Sequence, residues 1–344
     1  MLSRVPKDLL NCTAYILKEV FKKMKITKIL LLLLLQSLSY CGLAQAQNYP
    51  NRPVQVLVGF PPGGSADILG RHIMQKVSEL SGRSFLVENR TGAGGNLAFS
   101  AVALAKPDGY TLLFSTPGIA INPSLYKKIN YKIEDFTPIA LIGDAPLVLS
   151  VNPALPIKSV SDLIATAKKN PDSIRFASSG NGSSSHLAMD VIRAMTGIQY
   201  IHIPYRGGGA SMLDVISGQA DITMQPITET MPYVKDGKLR PLGQTGLKRS
   251  LIAPDIPTID EAGVKGYSST TWYMVLGPAN LPKNVVQYLQ TEIAKAVNSP
   301  EIQEKLLASG VTIINGGPVE AKELLYSDYK KWAERIKASG TVIE

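Results

Sequence analysis

Cysteine and histidine are scarce in this sequence, with two cysteines and three histidines among 344 residues. Both cysteines, Cys12 and Cys41, fall in an N-terminal stretch that has the features of a leader. The rest of the chain has no thiol, which excludes disulfides, a thiolate nucleophile and thiolate metal ligands there. The histidines, His72, His186 and His202, are not paired with one another at helical spacing. We therefore expect no metal site.

Long apolar runs are also scarce. Residues 29–35 form an apolar run far shorter than the roughly 20 residues that a membrane span needs. Read from Met24, this run follows two lysines and precedes an A-x-A pattern at residues 44–46 (AQA), which is the order of a secretory signal peptide. We expect cleavage after Ala46 and export to the periplasm.

Two points about the leader stay open. Residues 1–23 fit no targeting signal, so Met1 and Met24 are both candidates for the true start. A lipoprotein signal acylated at Cys41 is a weaker alternative, because the bulky Tyr40 stands where such signals have a small residue.

The excess of positive charge is partly a property of the leader. The formal net charge is +9, but residues 1–46 hold seven Lys/Arg against two Asp/Glu. The remaining excess is spread without basic runs, whereas a nucleic-acid-binding protein would show a basic stripe. Nucleic acid is therefore not an expected partner.

Short strand-like runs alternate with amphipathic helical patterns along the rest of the chain. This order predicts an α/β fold with mostly parallel sheets flanked by helices, in which ligands bind outside the carboxyl ends of the strands. The apolar stretches 139–151 and 271–276 are interpreted as crossovers between two lobes, and helices at about 283–307 and 319–337 as a return to the first lobe. The predicted divisions are a leader at 1–46, lobe 1 at 47–148 plus 272–344, and lobe 2 at 149–271.

Two glycine-rich turns follow predicted strands and open predicted helices. They are residues 60–67 (FPPGGSAD) and 178–185 (SSGNGSSS), one in each predicted lobe. A helix N-terminus has unpaired backbone N–H groups and a partial positive charge, so it binds anions readily. Two such turns in one exported chain indicate a clamp for a small carboxylate.

In the first turn, Gly63 and Gly64 allow close approach of a ligand to the backbone, and Ser65 is a candidate N-cap. Asp67 has two readings. It either complements the helix dipole and orients the loop, or it pairs with a ligand amine.

The second turn contains Gly180 and Gly182, but Ser185 stands where a dinucleotide fingerprint has its third glycine, and a P-loop lysine is missing. We therefore expect no nucleotide cofactor. His186 either bonds a ligand or, as we favour, braces the loop. The chain has no Gly-x-Ser-x-Gly elbow, so no catalytic residue is assigned.

A third turn, residues 205–209, brings a cation to another predicted strand end. Arg206 is a candidate for a direct carboxylate contact, with a solvated rim arginine as the alternative. Gly207 in this turn, and Thr116 and Gln225 at two further strand ends, face the expected cleft.

A series of ordered motifs runs along the chain beyond the leader: residues 59–67 (GFPPGGSAD), 87–96 (VENRTGAGGN), 107–112 (PDGYTL), 179–187 (SGNGSSSHL), 204–209 (PYRGGG), 218–221 (GQAD) and 257–263 (PTIDEAG). In these motifs the chain resembles, end to end, the substrate-binding proteins of tripartite tricarboxylate transporters, the Bug family. Departures from the family pattern are small: Thr91 replaces a frequent proline, Gly70 a frequent alanine, and Arg206 a common lysine.

The resemblance implies a monomeric, non-enzymatic periplasmic receptor of the two-lobe, type II periplasmic-binding-protein fold. Such a receptor closes on a small carboxylate and delivers it to a two-component integral membrane permease. The expected ligand is a di- or tricarboxylate, an acidic amino acid or an aromatic acid of the nicotinate type. A sensory receptor that presents its ligand to a membrane kinase is the alternative, and an exported hydrolase is less favoured. By the resemblance, the carboxylate is held by backbone groups and hydroxyls of the two turns, here Phe60, Gly63, Gly64, Ser65 and Asp67 with Ser178, Ser179, Asn181, Gly182 and Ser183.

Overall fold

The computed structural model describes residues 49–339. The expected leader, its cleavage site after Ala46 and the alternative acylation site Cys41 lie outside the described residues. Within the described part of the chain, no helix is both long enough and apolar enough to cross a bilayer.

Strands and helices alternate along most of the described chain. The strands are β1 Val54–Val58, β2 Phe85–Asn89, β3 Thr111–Ser115, β4 Phe136–Val151, β5 Arg175–Ser178, β6 Ile201–Pro204, β7 Ile222–Pro226, β8 Arg240–Gln244, β9 Thr270–Pro278 and β10 Thr312–Gly316. The helices are α1 Ser65–Ser81, α2 Asn96–Ala103, α3 Gly118–Leu125, α4 Val160–Lys169, α5 Ser184–Thr196, α6 Gly208–Ile216, α7 Ile227–Lys235, α8 Lys283–Asn298, α9 Pro300–Ala308 and α10 Pro318–Ser339.

The strands form two groups that share the long strand β4. In the first group β1 lies between β2 and β3, all parallel, and in the second β5 lies between β6 and β7, also all parallel. The first part of β4 pairs antiparallel with β9 and β10, and its second part pairs antiparallel with β7 and β8. The sheets are therefore mixed, with the parallel strands at the predicted βα units and the antiparallel ones where the chain crosses between groups.

The predicted local patterns form the expected elements. Leu69, Ile73 and Val77 are fully buried on one face of α1, and the helix ends at Gly82, whose φ of 65° suits a left-handed C-cap. Nearly every residue of β4 is buried, as expected of a strand enclosed on both faces.

Two buried clusters underlie the strand groups, and helix α10 contributes to both. Ala321 and Leu325 pack with Leu113 and other residues of the first group. Trp332 and Ile336 pack with Leu149 and residues of the second group. For α10, the first half thus packs with the first group, while the second half packs with the second group and not with lobe 1 alone. The lobe boundaries at 148/149 and 271/272 stay a prediction.

The structure corrects the secondary-structure predictions at several points. The helix predicted at about 283–307 is two helices, because Pro300 has no N–H and begins a new helix after Ser299. Helices α3 and α7 were not predicted, since Pro123 and Pro232 interrupt their patterns. Strands β8 and β10 were also missed.

Candidate ligand-binding site

A cavity of about 470 Å³ lies where the strand ends of the two groups meet. It is lined by all three glycine-rich turns that the sequence singles out. The lining residues from these turns are 60–66, 179, 183–185 and 206–210. The turns therefore face a common cavity, as the clamp hypothesis requires.

The strand register explains why the cavity forms at this place. Leu147 of β4 pairs with Pro226 at the end of β7, while Ala145, two residues earlier, pairs with Thr271 of β9. Ser115 at the end of β3 also pairs with β9, opposite Met274. The carboxyl ends of β3 and β7 are thereby brought to the middle of β4 from opposite sides, and Thr116 and Gln225 both line the cavity.

The first glycine turn ends in the N-terminus of α1. The N-cap is Gly64, in extended conformation and without a side-chain cap hydrogen bond, so the prediction of Ser65 as the N-cap is wrong by one residue. The adjacent Gly63 has φ of 82°, a left-handed conformation that favours glycine. The backbone N–H of Ser65 donates to Oε1 of Glu229 at 2.7 Å.

Asp67 lies behind this turn and does not line the cavity. Its carboxylate accepts hydrogen bonds from the backbone N–H of Gly63 at 3.0 Å, from Arg71 Nε at 2.8 Å and from Asn89 Nδ2 at 2.8 Å. The side chain is almost fully buried. These contacts favour the interpretation in which Asp67 orients the loop. The carboxylate is not placed to pair with a ligand amine in the cavity.

The second glycine turn leads into α5. Ser183 caps the helix: its Oγ accepts from the backbone N–H of His186 at 3.2 Å and donates to the carbonyl of Gly180 at 2.7 Å. Ser179 lines the cavity, whereas Asn181 lines a neighbouring cavity of about 460 Å³. Gly182 lines neither and packs against Asn122 of α3.

Ser178, His186 and His202 form a buried layer beneath the second turn. The two imidazole rings stack with centroids 4.0 Å apart, and Ser178 Oγ is 2.6 Å from His202 Nε2. His186 Nδ1 accepts from the backbone N–H of Gly182 at 3.3 Å. Asp190, four residues after His186 and overlooked as a helical partner, lies 3.7 Å from its Nε2. These contacts favour the bracing role of His186.

The histidines are neutral at physiological pH. Burial, with a smaller contribution from Arg193, lowers the pKa of His186 to about 4. Burial, with His186 close by, lowers the pKa of His202 to about 3. Ser178 is fully buried, so its hydroxyl is not accessible to a substrate despite the histidine beside it. The pair supplies no accessible nucleophile for a hydrolase.

The third turn supplies the cation at the rim. Arg206 is exposed and lines both cavities. Gly207 is the N-cap of α6, with φ of 104°, and it packs closely on Pro61 of the first turn. The first and third turns thus contact each other beside the cavity mouth.

Sequence reasoning missed one acidic residue of the cavity, Glu229. It lies in the first turn of α7, directly after the predicted strand end at Gln225. Burial raises the pKa of its carboxyl. The available signal was that Glu229 is the first acidic residue after that strand end, but Pro232 interrupts the helical pattern and the helix was not predicted.

The arrangement is suited to binding an anion. Four helices, α1, α5, α6 and α7, begin at the cavity wall, and the backbone N–H groups of a first helical turn have no acceptor within the helix. Arg206 adds a full positive charge at the rim. Among residues 49–339, no cluster of three or more His, Cys, Asp and Glu residues could hold a metal ion.

The sequence matches the family model described as "Tripartite tricarboxylate transporter family receptor" over residues 69–341. The match spans most of the described chain, including the second and third glycine turns, and begins just after the first.

Three solved structures share the fold along their whole length. Rpa4515 of R. palustris, solved with adipate, is 35% identical with a TM-score of 0.81, covering 85% of this chain and 98% of that one. The periplasmic binding protein BugD is 32% identical with a TM-score of 0.81, covering 86% and 100%. MatC from Rhodopseudomonas palustris, solved with bound malate, is 27% identical with a TM-score of 0.78, covering 84% and 100%. The chain therefore has the α/β periplasmic-binding-protein fold.

Gly208 allows a test of the cavity geometry. A Cβ atom at this position would lie within 3 Å of Glu229 Oε2 and at 2.8 Å from Gln225 Oε1, whereas one on Gly209 would meet nothing within 4 Å. We expect Gly208→Ala to lower the free energy of unfolding by about 1–3 kcal/mol. The matched control Gly209→Ala should be neutral or stabilising by up to about 1 kcal/mol. Urea titrations followed by circular dichroism measure both; equal effects of the two variants would contradict the geometry.

The buried histidines predict a pH dependence of stability. In the unfolded chain they protonate near their ordinary pKa of 6.5, but in the folded protein only near pH 4 for His186 and lower for His202. The folded state therefore binds fewer protons, and stability falls as the pH decreases from about 7 toward 4, by about 1–2 kcal/mol per histidine at pH 5. Urea titrations from pH 7.5 to 5 should show a shallower loss of stability for His202→Gln than for the wild type. An unchanged slope in His202→Gln would contradict this origin of the pH dependence.

Proposed function

The chain belongs to the tripartite tricarboxylate transporter receptor family, and on that premise we propose that it captures a small organic acid in the cavity between its glycine turns. Members of this family are periplasmic solute-binding receptors and not enzymes. The convergence of four helix N-termini on one cavity is the observation that carries the proposal. Aligned backbone N–H groups hold a carboxylate without any chemical change to it.

The proposed ligand-binding residues fall into two sets. The first set lines the cavity and is able to contact the ligand directly: Phe60, Gly63, Gly64, Ser65, Thr116, Ser179, Ser183, Arg206, Gly207 and Gln225. The second set lies behind the turns or beside the cavity and positions the first: Asp67, Ser178, Asn181, Gly182 and His186.

Small carboxylates are the ligand class that the relatives favour. Rpa4515 was solved with adipate and MatC with malate, and both are similar to this chain over nearly their whole length. A cavity of about 470 Å³ is large enough for an acid of this size.

Two further steps complete the proposal. Cleavage after Ala46 would release the receptor into the periplasm, and the loaded receptor would deliver its acid to a two-component membrane permease. The lobes that close on the ligand would be residues 47–148 with 272–344, and 149–271. Strand β4 supports the first boundary, because it pairs with β9 through its first part and with β7 from Leu147 onward.

Arg206 provides the test of carboxylate binding. Ligand-free protein is screened by thermal shift against di- and tricarboxylates, acidic amino acids and aromatic acids. A ligand at a hundred times its dissociation constant stabilises by about 2.7 kcal/mol. For the acid that stabilises most, we expect Arg206→Ala to weaken binding about tenfold in calorimetry, or about 1.4 kcal/mol.

Arg83 is exposed and lies outside the cavity lining, so Arg83→Ala serves as the matched control and should bind as the wild type does. The carboxylate proposal would be rejected if no acid in the panel stabilised protein shown to be free of ligand. Equal losses in both variants would instead indicate general charge attraction and no contact from Arg206.

A further inference from the structure

The anion-binding cavity contains a carboxylate of its own. Oε1 of Glu229 accepts the hydrogen bond from the backbone N–H of Ser65, which is the first residue of α1. The side chain thereby occupies part of the helix N-terminus that a ligand carboxylate would otherwise use. At this end of the cavity, a ligand meets a carboxyl group in place of a free donor.

Glu229 has no cationic partner among the described residues. No ion pair links it to a lysine, arginine or histidine there. Burial raises the pKa of its carboxyl, and only hydrogen bonds from Ser65 oppose this. A carboxylate held away from bulk water is normally paired with a positive charge. The side chain is therefore suited to receive a cation from outside the protein.

A second acceptor faces the same point. Gln225 is fully buried, and its Nε2 shares two hydrogens among three hydroxyls within bonding distance, Ser211 at 2.8 Å, Thr223 at 3.0 Å and Ser185 at 3.1 Å. These bonds fix the amide so that Oε1 is the free end. Within residues 49–339, Oε1 has no hydrogen-bond donor.

Gly208 shows that the two acceptors converge. Both Gln225 Oε1 and Glu229 Oε2 lie within 3 Å of the point that a Cβ atom on Gly208 would occupy. Thr271 adds another buried hydroxyl of the cavity lining, whose Oγ1 is unpaired among the described residues. This end of the cavity is rich in acceptors, one of which belongs to the carboxyl group of Glu229.

The chemistry of the ligand follows from this division of the cavity. A dicarboxylate has no proton to donate at neutral pH, so it would leave Gln225 Oε1 without a donor. A protonated amine offers up to three N–H donors, which match the two convergent acceptors, and its positive charge would stabilise the ionised form of the Glu229 carboxyl. The remaining helix N-termini, at Ser184 and Gly208–Gly209, and Arg206 are left to hold a carboxylate.

We propose that the ligand of this receptor is an amino acid, whose protonated amine lies between Glu229 and Gln225 and whose carboxylate faces the N-termini of α5 and α6. This inference rests on the proposed function and narrows it from small carboxylates in general to those that carry an amine.

The test compares acids that differ only in the amine. Calorimetry on ligand-free protein uses the pairs L-glutamate and glutarate, L-aspartate and succinate, and L-alanine and propionate. In any pair that binds, we expect the amine-bearing member to bind at least tenfold more tightly. Glu229→Gln keeps the size of the side chain and removes its charge, so it should reduce this preference at least tenfold while leaving the amine-free acid bound as tightly or more tightly.

Glu304→Gln is the matched control, because Glu304 is exposed and outside the cavity; it should keep the wild-type preference. Equal or tighter binding of the amine-free acids by the wild type would overturn the inference and leave the carboxylate receptor standing. Binding of neither member of any pair, together with silence across the broader acid panel, would overturn both. The wild-type preference is measured without any variant, so a Glu229→Gln protein that fails to fold does not prevent a decision.

Discussion

The site depends on one constraint, the meeting of parallel-strand ends at the middle of β4. In each strand group the crossovers place a helix N-terminus after the carboxyl end of a strand. Because β4 pairs with β9 through its first part and with β7 through its second, the two sets of strand ends come to the same place. The positive ends of α1, α5, α6 and α7 therefore add up at a single cavity.

This arrangement binds an acid with little use of charged side chains. Backbone N–H groups are held by the helices themselves, and the turns that carry them are braced from behind, the first by Asp67 and the second by the His186–His202 stack. Such preorganised donors lose little entropy when a ligand arrives. Generic carboxylate recognition by the backbone leaves selectivity to a few side chains, of which Glu229 and Gln225 are the most distinctive.

Local patterns in the sequence predicted much of this. The glycine turns, the helices they open and the strand ends at Thr116 and Gln225 all depend on residues close in the chain, and the structure brings them to one cavity. Helices α3 and α7 were missed because proline lies inside both. The hydrogen bond from Ser65 to Glu229 joins residues that lie 164 positions apart. It depends on the register of β4 with β7, which no local pattern encodes.

Backbone N–H groups at helix N-termini are proposed to hold the ligand carboxylate, and amide NMR observes these groups directly. Uniformly ¹⁵N-labelled, ligand-free protein is titrated with the tightest-binding acid, and the amide resonances of residues at the two ends of each helix are compared. The account predicts that the amides of Ser184, Ser185, Gly208 and Gly209 shift strongly, while Gly82 and Gly197, at the C-terminal ends of α1 and α5, do not. Shifts centred elsewhere, with these helix N-termini unperturbed at saturation, would contradict it.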